Sequence, residues 1–326
     1  MNKLVQFVAA VATAIVFLAG PQTAVSDQHK SVDQKSVLVT GASTGIGRNL
    51  AETLAANGYH VYAGARKEKD LAELDAIDNI TAVRLDVTKQ DQIDAAVAMI
   101  KKKGTGLYGL VNNAGVGGGG PVLGTPVEDQ TFIYDVNVEG VYRTTQAFAP
   151  LVIESKGRIV TTGSIAGTGS WAGGSAYSGS KHWIEAYTDA LAGELASMDV
   201  AVSVVEPGNY KSNIRRTSVG RMLERQKGAD GELTEEMKKR YEQTAERELS
   251  YKEPDEVSEA FMHALFDPKP LRRYVVVPNK EEQGWTIGTK INELVQLNQW
   301  GPHSYSRDEL VAMLDKALAG DDGAEE

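Results

Sequence analysis

The feature that most constrains the fold is a glycine-rich turn that joins a short apolar run to a helical stretch. Residues 36–40 (Ser-Val-Leu-Val-Thr) are β-rich and apolar, as in a strand buried on both faces. Gly41, Gly45 and Gly47 follow, and residues 46–57 are helical in character. Glycines at this point let the backbone approach a pyrophosphate, whose charge meets the helix N-terminus. The turn therefore predicts a dinucleotide site, with an ordinary glycine-rich loop as the alternative.

The rest of the chain alternates strand-like and helical segments. Six further strand candidates lie at residues 60–63, 81–85, 107–111, 158–162, 200–205 and 273–277. Helical stretches separate most of them, for example residues 89–102 and 175–197. This alternation predicts an α/β fold with a doubly wound, mostly parallel, seven-stranded sheet and helices on both faces.

The N-terminal segment has the three parts of a secretory signal peptide. Lys3 precedes an apolar run that ends at Gly20, and Ala24-Val25-Ser26 supplies small residues before a cut. We expect export to the periplasm or the medium. An uncleaved membrane anchor, with membrane association of the protein, is the alternative, and a buried N-terminal helix is a third reading.

The domain organisation follows from these segments. We expect a signal peptide or anchor at residues 1–26, a linker at 27–35, a single α/β domain at 36–320 and an acidic tail at 321–326. Residues 209–250 contain no strand pattern and are strongly charged. Apolar residues recur there every four positions from Leu233 to Leu249, which predicts an amphipathic helix. Pairs at i,i+4 are expected between Glu235 and Lys239 and between Glu236 and Arg240. We interpret this insertion as a mobile lid over the substrate.

Composition excludes several classes of site. The net charge of −10 argues against general nucleic-acid binding, which needs a basic surface. The chain has no cysteine, which excludes disulfides, thiolate catalysis and zinc–thiolate sites. Its five histidines do not cluster, so no metal is expected.

The end of the second strand bears on which dinucleotide is bound. A site that prefers NAD carries a carboxylate there for the ribose 2′-hydroxyl. This sequence has Ala63-Gly64-Ala65-Arg66-Lys67 instead. Arg66 is suited to pair with a 2′-phosphate, so NADP is favoured over NAD. A solvated arginine at a helix start is the alternative reading.

Three polar residues form the candidate catalytic set. Tyr177 and Lys181 lie four positions apart in a predicted helix and therefore share a face. An ammonium near a phenol lowers the phenol pKa, which suits the tyrosine to proton transfer. Ser164 follows the strand at residues 158–162, at the carboxyl end of the sheet, where ligands of such folds bind.

These residues together resemble the short-chain dehydrogenase/reductase family. The resemblance covers nearly all of residues 36–277. Its motifs are Thr40-Gly41-x-x-x-Gly45-x-Gly47, Asn112-Asn113-Ala114-Gly115, Asn137, Ser164, Tyr177-x-x-x-Lys181 and Pro207-Gly208. Several ordered motifs at matching intervals make the signal highly specific. The resemblance implies a Rossmann-type domain and a nicotinamide cofactor.

The resemblance also implies roles for single residues. Tyr177 would be the general acid/base, and Ser164 would donate a hydrogen bond to the substrate oxygen. Lys181 would bind the nicotinamide ribose and lower the Tyr177 pKa, while Asn137 would hold a water in the proton relay. The implied cofactor-binding residues are Gly41, Ser43, Thr44, Gly45, Ile46, Gly47, Arg66, Asp86, Val87, Asn113, Ala114, Gly115, Tyr177, Lys181, Pro207 and Gly208.

The favoured function is an NADP-preferring alcohol dehydrogenase or carbonyl reductase that acts on a small molecule. A non-catalytic NADP-binding sensor or scaffold on the same fold is the alternative, and an epimerase or dehydratase of a related family is disfavoured by the glycine spacing. We also expect a homo-oligomer. Gly117 to Gly120 form an unusual glycine run that we interpret as a plain loop, with a flexible wall of the substrate site as the alternative.

Overall fold

The computed structural model describes residues 34–227 and 231–320. The predicted signal peptide at residues 1–26, most of the linker and the acidic tail at residues 321–326 lie outside the described residues. Export and the membrane-anchored alternative therefore stay predictions. Within the described ranges, no helix is both long and apolar enough to cross a membrane.

One sheet of seven strands forms the centre of the described part of the chain. The strands are β1 (Ser36–Val39), β2 (His60–Ala65), β3 (Ile80–Arg84), β4 (Gly109–Asn112), β5 (Arg158–Thr162), β6 (Ala201–Pro207) and β7 (Arg273–Val276). Their order in the sheet is β3-β2-β1-β4-β5-β6-β7. Every neighbouring pair is parallel. The predicted seven-stranded parallel sheet is confirmed.

Helices lie on both faces of this sheet. In chain order they are α1 (Gly45–Ala56), α2 (Glu68–Asp75), α3 (Gln90–Lys103), α4 (Val127–Tyr134), α5 (Gly140–Glu154), α6 (Ser175–Leu195), α7 (Ile214–Arg225), α8 (Glu235–Leu249), α9 (Asp255–Phe266), α10 (Lys280–Leu297) and α11 (Arg307–Leu318). A single π-helical turn, Asp135–Glu139, joins α4 to α5.

The alternation of side chains along each strand builds two separate cores. Val37 and Val39 of β1 face one side, where they join residues of α1 and α9 such as Phe261. Leu38 lies between them in sequence and faces the other side, with residues of α3, α5 and α6. Because both faces are covered, the strands read as continuous apolar runs rather than alternating ones.

The strand order reverses next to β1, and this positions the site. The chain winds outward from β1 through β2 to β3, then crosses to β4 on the other side and winds outward to β7. Connections that leave β1 and β4 in opposite directions open a crevice beyond their carboxyl ends, where ligands of doubly wound sheets bind. The glycine turn follows β1 and the Asn112-Asn113 pair ends β4, so both predicted motifs border this crevice.

The insertion after β6 contains two helices, α7 and α8. The sequence pattern predicts only α8, because α7 carries four arginines in twelve residues and has a weak apolar stripe. The expected i,i+4 ion pairs of α8 are absent from the described residues, and Glu235 pairs with Lys238 at 2.7 Å instead.

The two helices of the insertion are joined by a buried carboxylate. Glu248 of α8 is 3 % exposed, and its side chain accepts hydrogen bonds from the backbone N–H groups of Arg215, at 2.7 Å, and Arg216, at 2.9 Å. These N–H groups belong to the first turn of α7, which has no intrahelical partners for them. At the base of the insertion, the N–H of Lys211 donates to the carbonyl of Lys252 at 2.9 Å.

Candidate active site

The glycine turn after β1 has the geometry that the sequence predicts. Gly41 and Gly45 have φ angles of +66° and +58°, which side-chain-bearing residues rarely adopt. A Cβ on Gly47 would lie 2.3 Å from Nδ2 of Asn113, so the start of α1 approaches β4 more closely than any larger residue would allow. The glycines therefore form a tight cradle at the carboxyl end of β1.

The N-terminus of α1 faces this cradle without a side-chain cap. Thr44 is the N-cap residue, is extended, and makes no capping hydrogen bond. The first turn of α1 carries no acidic residue, and Ile46 is half-buried against the first core. The free N–H groups of a helix start, together with the helix dipole, favour an anion, so the turn at Ser43 and Thr44 fits a pyrophosphate.

Asn113 fastens the cradle to the rest of the sheet. Its Nδ2 donates to the carbonyls of Thr40, at 2.9 Å, and Gly41, at 3.2 Å, and its Oδ1 accepts from the hydroxyl of Thr162. The N–H of Ala114 donates to the Thr40 hydroxyl at 2.9 Å. The motif that ends at Gly115 thus ties β1, β4 and β5 together at their carboxyl ends.

Arg66 lies at the far end of the crevice, directly after β2. Its side chain is 64 % exposed, and the carboxylate nearest to it, Oδ2 of Asp86, lies 3.8 Å away. Asp86 is held by Thr88, whose N–H and hydroxyl both donate to Oδ1, and the following Val87 packs on Gly140. Arg84, which the sequence argument did not single out, donates to the carbonyl of Arg66 at 2.8 Å. This end of the crevice therefore carries two guanidinium groups.

Ser164 and Tyr177 meet beyond the carboxyl end of β5. Ser164 is buried; its Oγ accepts from the N–H of Ala166 at 3.1 Å, and its hydroxyl proton is available to the oxygen of Tyr177. Burial raises the pKa of Tyr177, while the Ser164 hydroxyl and the charge of Arg215 oppose that rise. The phenol therefore holds its proton at neutral pH.

Lys181 lies one helical turn after Tyr177, as the sequence predicts. Its Nζ donates to the carbonyl of Thr162 at 2.8 Å and lies 5.8 Å from the centroid of the Tyr177 ring. Burial lowers the pKa of this amine to about 8, against the opposing charge of Glu185. The expectation that Lys181 lowers the Tyr177 pKa is not met: burial dominates, and the lowering contributions come from Ser164 and Arg215.

Asn137 sits in the π-helical turn between α4 and α5. Its Oδ1 accepts from the N–H of Val116 at 2.8 Å, and its Nδ2 donates to the carbonyl of Val116 at 3.0 Å and to Oγ of Ser180 at 3.1 Å. Ser180 in turn donates to the carbonyl of Tyr177. The side chain thus joins the loop after β4 to the start of α6, and both amide hydrogens have protein partners.

The Pro207-Gly208 motif ends β6 beside β7. The N–H of Gly208 donates to the carbonyl of Val276 at 2.8 Å. Glu282 of α10 approaches so closely that a Cβ on Gly208 would lie 2.2 Å from its Oε2. The same Oε2 accepts from the N–H of Asn209 at 2.8 Å, which fixes the direction in which the chain enters the insertion.

A cavity of about 630 Å³ lies between the loop after β4, the residues before α6 and the insertion. Its walls are the glycine run with Pro121 and Val122, three residues of α4 (Asp129, Phe132 and Ile133), residues 171–173 before α6, five residues of α7 (Ser218, Val219, Arg221, Met222 and Arg225) and Arg240 of α8. The run from Gly117 to Gly120 therefore lines this cavity, and its role as a wall of the substrate site stays a prediction.

A second group of buried charges lies under α6, and no motif indicates it. Glu206, near the end of β6, is 1 % exposed, and burial, with a further contribution from Glu185, raises its pKa to about 7. Oε2 of Glu206 and Oε1 of Glu185 are buried and have no hydrogen-bond partner within the described residues. Arg273 of β7 pairs with Glu185 at 3.0 Å. In sequence, only an acid placed inside a strand would have drawn attention to Glu206.

Comparisons with known proteins agree with this geometry. A family model described as short chain dehydrogenase matches residues 35–222. The mitochondrial D-beta-hydroxybutyrate dehydrogenase of Bos taurus is 34 % identical over 74 % of this chain and 77 % of its own.

Solved structures are similar over most of the chain. A short-chain dehydrogenase/reductase of Burkholderia phymatum in complex with NAD superposes with a TM-score of 0.68 at 25 % identity, covering 84 % of this chain and 98 % of its own. A serine dehydrogenase complexed with NADP⁺ gives a TM-score of 0.63 at 27 % identity, covering 74 % of this chain and 94 % of its own.

Proposed function

Because the chain belongs to the short-chain dehydrogenase/reductase family and is an oxidoreductase with a nicotinamide cofactor, we propose that it prefers NADP and acts on an alcohol or ketone, with Tyr177 as general acid/base. One observation carries the proposal: Ser164, Tyr177 and Lys181 come together at the carboxyl end of β5, and the segment that leads into Tyr177 borders a cavity large enough for a substrate. A fold alone would not support a reaction, but this grouping of donors does.

The residues of the crevice fit the cofactor. The glycines Gly41, Gly45 and Gly47 allow an anion to come close to the backbone of the turn. The uncapped start of α1 supplies N–H groups that would bind a pyrophosphate. Asp86 lies beside the crevice at the adenosine end, and Lys181 lies at the nicotinamide end. When bound, the cofactor supplies or accepts the hydride.

Proton transfer is the part of the reaction that this chain's own residues perform. Tyr177 keeps its proton at neutral pH because burial raises its pKa, so it is ready to donate to the oxygen of a carbonyl substrate. The Ser164 hydroxyl, which interacts with Tyr177 in the structure, would turn its proton to the same oxygen, where negative charge develops as a carbonyl is reduced. Reduction is therefore the direction that needs no prior loss of a proton from the enzyme.

Lys181 and Asn137 keep this arrangement in place. The bond from Lys181 to the carbonyl of Thr162 fixes the amine beneath the Tyr177 ring, on the β5 side of the site. Asn137 fixes Val116 and Ser180, and through Ser180 the backbone of Tyr177. Since both amide hydrogens of Asn137 are used by the protein, we assign its side chain a positioning role.

The preference for NADP is supported by the charges at the end of β2. Arg66 is exposed and has one distant carboxylate partner, whereas the guanidinium of Arg84 beside it is already paired with Glu68. A 2′-phosphate would gain charge-assisted hydrogen bonds there, each worth about 1.5–3 kcal/mol, that a 2′-hydroxyl would not. Titration of wild type and Arg66→Ala with both cofactors tests this. We expect weaker binding of NADP alone, and equal losses for NADP and NAD would make Arg66 a structural residue.

The role of Tyr177 is tested by Tyr177→Phe, with Tyr142→Phe as the matched control. Tyr142 is half exposed on α5, outside the site, and loses the same hydroxyl. With a panel of ketones and alcohols, we expect Tyr177→Phe to reduce turnover by about 10²–10⁴-fold and to leave NADP binding nearly intact. Near-wild-type turnover by Tyr177→Phe would refute the proposed mechanism.

A further inference from the structure

An arginine with no ion-pair partner among the described residues lies in the wall of the cavity. Arg221 of α7 is half-buried; it donates to the carbonyl of Gly117, and its Cζ lies 4.9 Å from the centroid of the Phe132 ring. No carboxylate of the described residues lies within ion-pair distance of it, whereas the neighbouring Arg225 pairs with Asp129. Burial lowers the pKa of Arg221, with a smaller contribution from the charge of Arg66.

This arrangement is costly unless an anion completes it. A guanidinium has five N–H donors, and a neutral carbonyl and an aromatic face satisfy only part of that capacity. A charge taken partly out of water is stabilised by an opposite charge, and the planar fork of arginine matches a carboxylate in two parallel hydrogen bonds. The cavity therefore has its own recognition group for an oxyanion.

The cavity borders segments that also carry the catalytic residues. Residues 171–173 of its wall run directly into α6, whose first turn carries Tyr177, and Ile133 lies one turn before Asn137. Gly117, which accepts from Arg221, follows Val116, the residue that Asn137 holds. The lining includes neither the residues assigned to the cofactor nor Ser164. An anion bound by Arg221 would therefore lie next to the segments that hold Asn137 and Tyr177, where the remainder of a substrate would extend.

We propose that Arg221 binds the carboxylate of the substrate, so that the alcohol or ketone taken by this enzyme is a hydroxy or oxo acid. The inference rests on the proposed function and names its substrate class. Phe132 and Ile133 then supply an apolar floor for the carbon chain between the carboxylate and the reacting carbon, and Arg221 selects acids against neutral ketones of the same shape.

The first test measures binding in the absence of turnover. Trp171 lines the cavity, so its fluorescence can report occupancy when hexanoate, or hexanamide as the neutral analogue, is added to the full-length protein. We expect wild type to bind hexanoate more tightly than hexanamide, and Arg221→Met to lose about 10- to 100-fold in hexanoate affinity and nothing in hexanamide affinity. Arg247→Met removes an exposed arginine of α8 that does not line the cavity and is the matched control, with little effect expected. Equal binding of acid and amide by wild type would overturn the proposal.

The second test compares 2-, 3- and 4-oxo acids with their methyl esters as substrates. We expect Arg221→Met to lower kcat/KM for the acids by about 10- to 100-fold and to leave the esters unchanged. Arg221→Lys keeps the charge without the fork and should retain part of the preference, which covers the case in which Arg221→Met does not fold.

Two other outcomes have separate meanings. If Arg221→Met weakens NADP binding and leaves the acid preference intact, Arg221 serves a cofactor phosphate and the proposal is wrong. If the acids bind through Arg221 but Tyr177→Phe turns them over normally, the proposed function fails while the carboxylate site stands.

Discussion

Glu206→Gln should change how the stability of this protein depends on pH. The carboxyl group is 1 % exposed near the end of β6, next to Glu185 of α6, with Arg273 of β7 and Lys290 of α10 acting on it in the opposite sense. Burial outweighs these cations and raises its pKa from 4.5 to about 7. Gln has nearly the same shape and cannot ionise, so the substitution removes the titration and little else.

The sign and the size follow from the two pKa values. Below pH 4.5 the carboxyl is protonated in the folded and the unfolded chain, and its ionisation costs the folded state nothing. Between pH 4.5 and about 7 the unfolded chain releases this proton while the folded chain keeps it, so wild type loses stability as the pH rises. Each unit of difference between the two pKa values corresponds to about 1.4 kcal/mol of stability, so the total loss is about 3 kcal/mol and is complete above pH 7.

Urea unfolding at pH 5 and pH 8 measures this loss. We expect the difference in unfolding free energy between Glu206→Gln and wild type to be about 2.5 kcal/mol larger at pH 8 than at pH 5, because a small part of the loss has already occurred at pH 5. Comparing one protein pair at two pH values cancels any constant cost of burying the amide. Glu194→Gln, at an exposed position of the same helix as Glu185, is the control and should give parallel pH profiles. Parallel profiles for Glu206→Gln as well would refute the reasoning.

Three further substitutions probe other parts of the molecule. Gly47→Ala should weaken cofactor binding and lower the stability by about 1–3 kcal/mol, because the added Cβ would lie 2.3 Å from Asn113. Gly193→Ala, which has open space around it, should change neither cofactor affinity nor stability. Cofactor titration measures the affinities and thermal unfolding measures the stabilities. The unfolding free energy of wild type should rise by about 3 kcal/mol relative to that of Lys181→Met between pH 7.5 and pH 10.5, because the buried ammonium loses its proton at lower pH in the folded chain than in the unfolded chain. Unfolding at these two pH values measures the change, and a constant difference would contradict it. Glu248→Gln should speed amide hydrogen exchange in the first turn of α7 by about 10- to 100-fold, while unchanged exchange would mean that this carboxylate is not what holds the turn.

The sheet and the motif positions could be predicted from the sequence because both depend on local signals. Buried parallel strands such as β1 are continuous apolar runs, and the glycine turn is defined by residues that follow one another in the chain. Tyr177 and Lys181 were found for the same reason, since four residues make one helical turn. These features need no knowledge of which segments meet in space.

What the sequence could not supply depends on contacts between distant segments. Arg221 is recognised as a candidate binding residue only through its contacts with Gly117 and Phe132, which lie about 100 and 90 positions earlier in the chain. The spacing of Tyr177 and Lys181 indicates a neighbouring ammonium, but it does not show the extent of burial, which raises the pKa of the phenol. Glu206 required knowing that the end of β6 lies under α6.

The hydrogen bond between Lys211 and Lys252 has a consequence for how enzymes of this architecture diversify. The chain departs for the insertion and returns from it at neighbouring points, and Glu248 completes the start of α7 from within the same segment. Such a segment can be shortened, lengthened or replaced as a unit while the sheet and the glycine cradle keep their contacts. If Arg221, which lies inside this segment, binds the substrate as proposed, exchanging the segment would change the substrate selectivity and leave Ser164, Tyr177 and Lys181 in place.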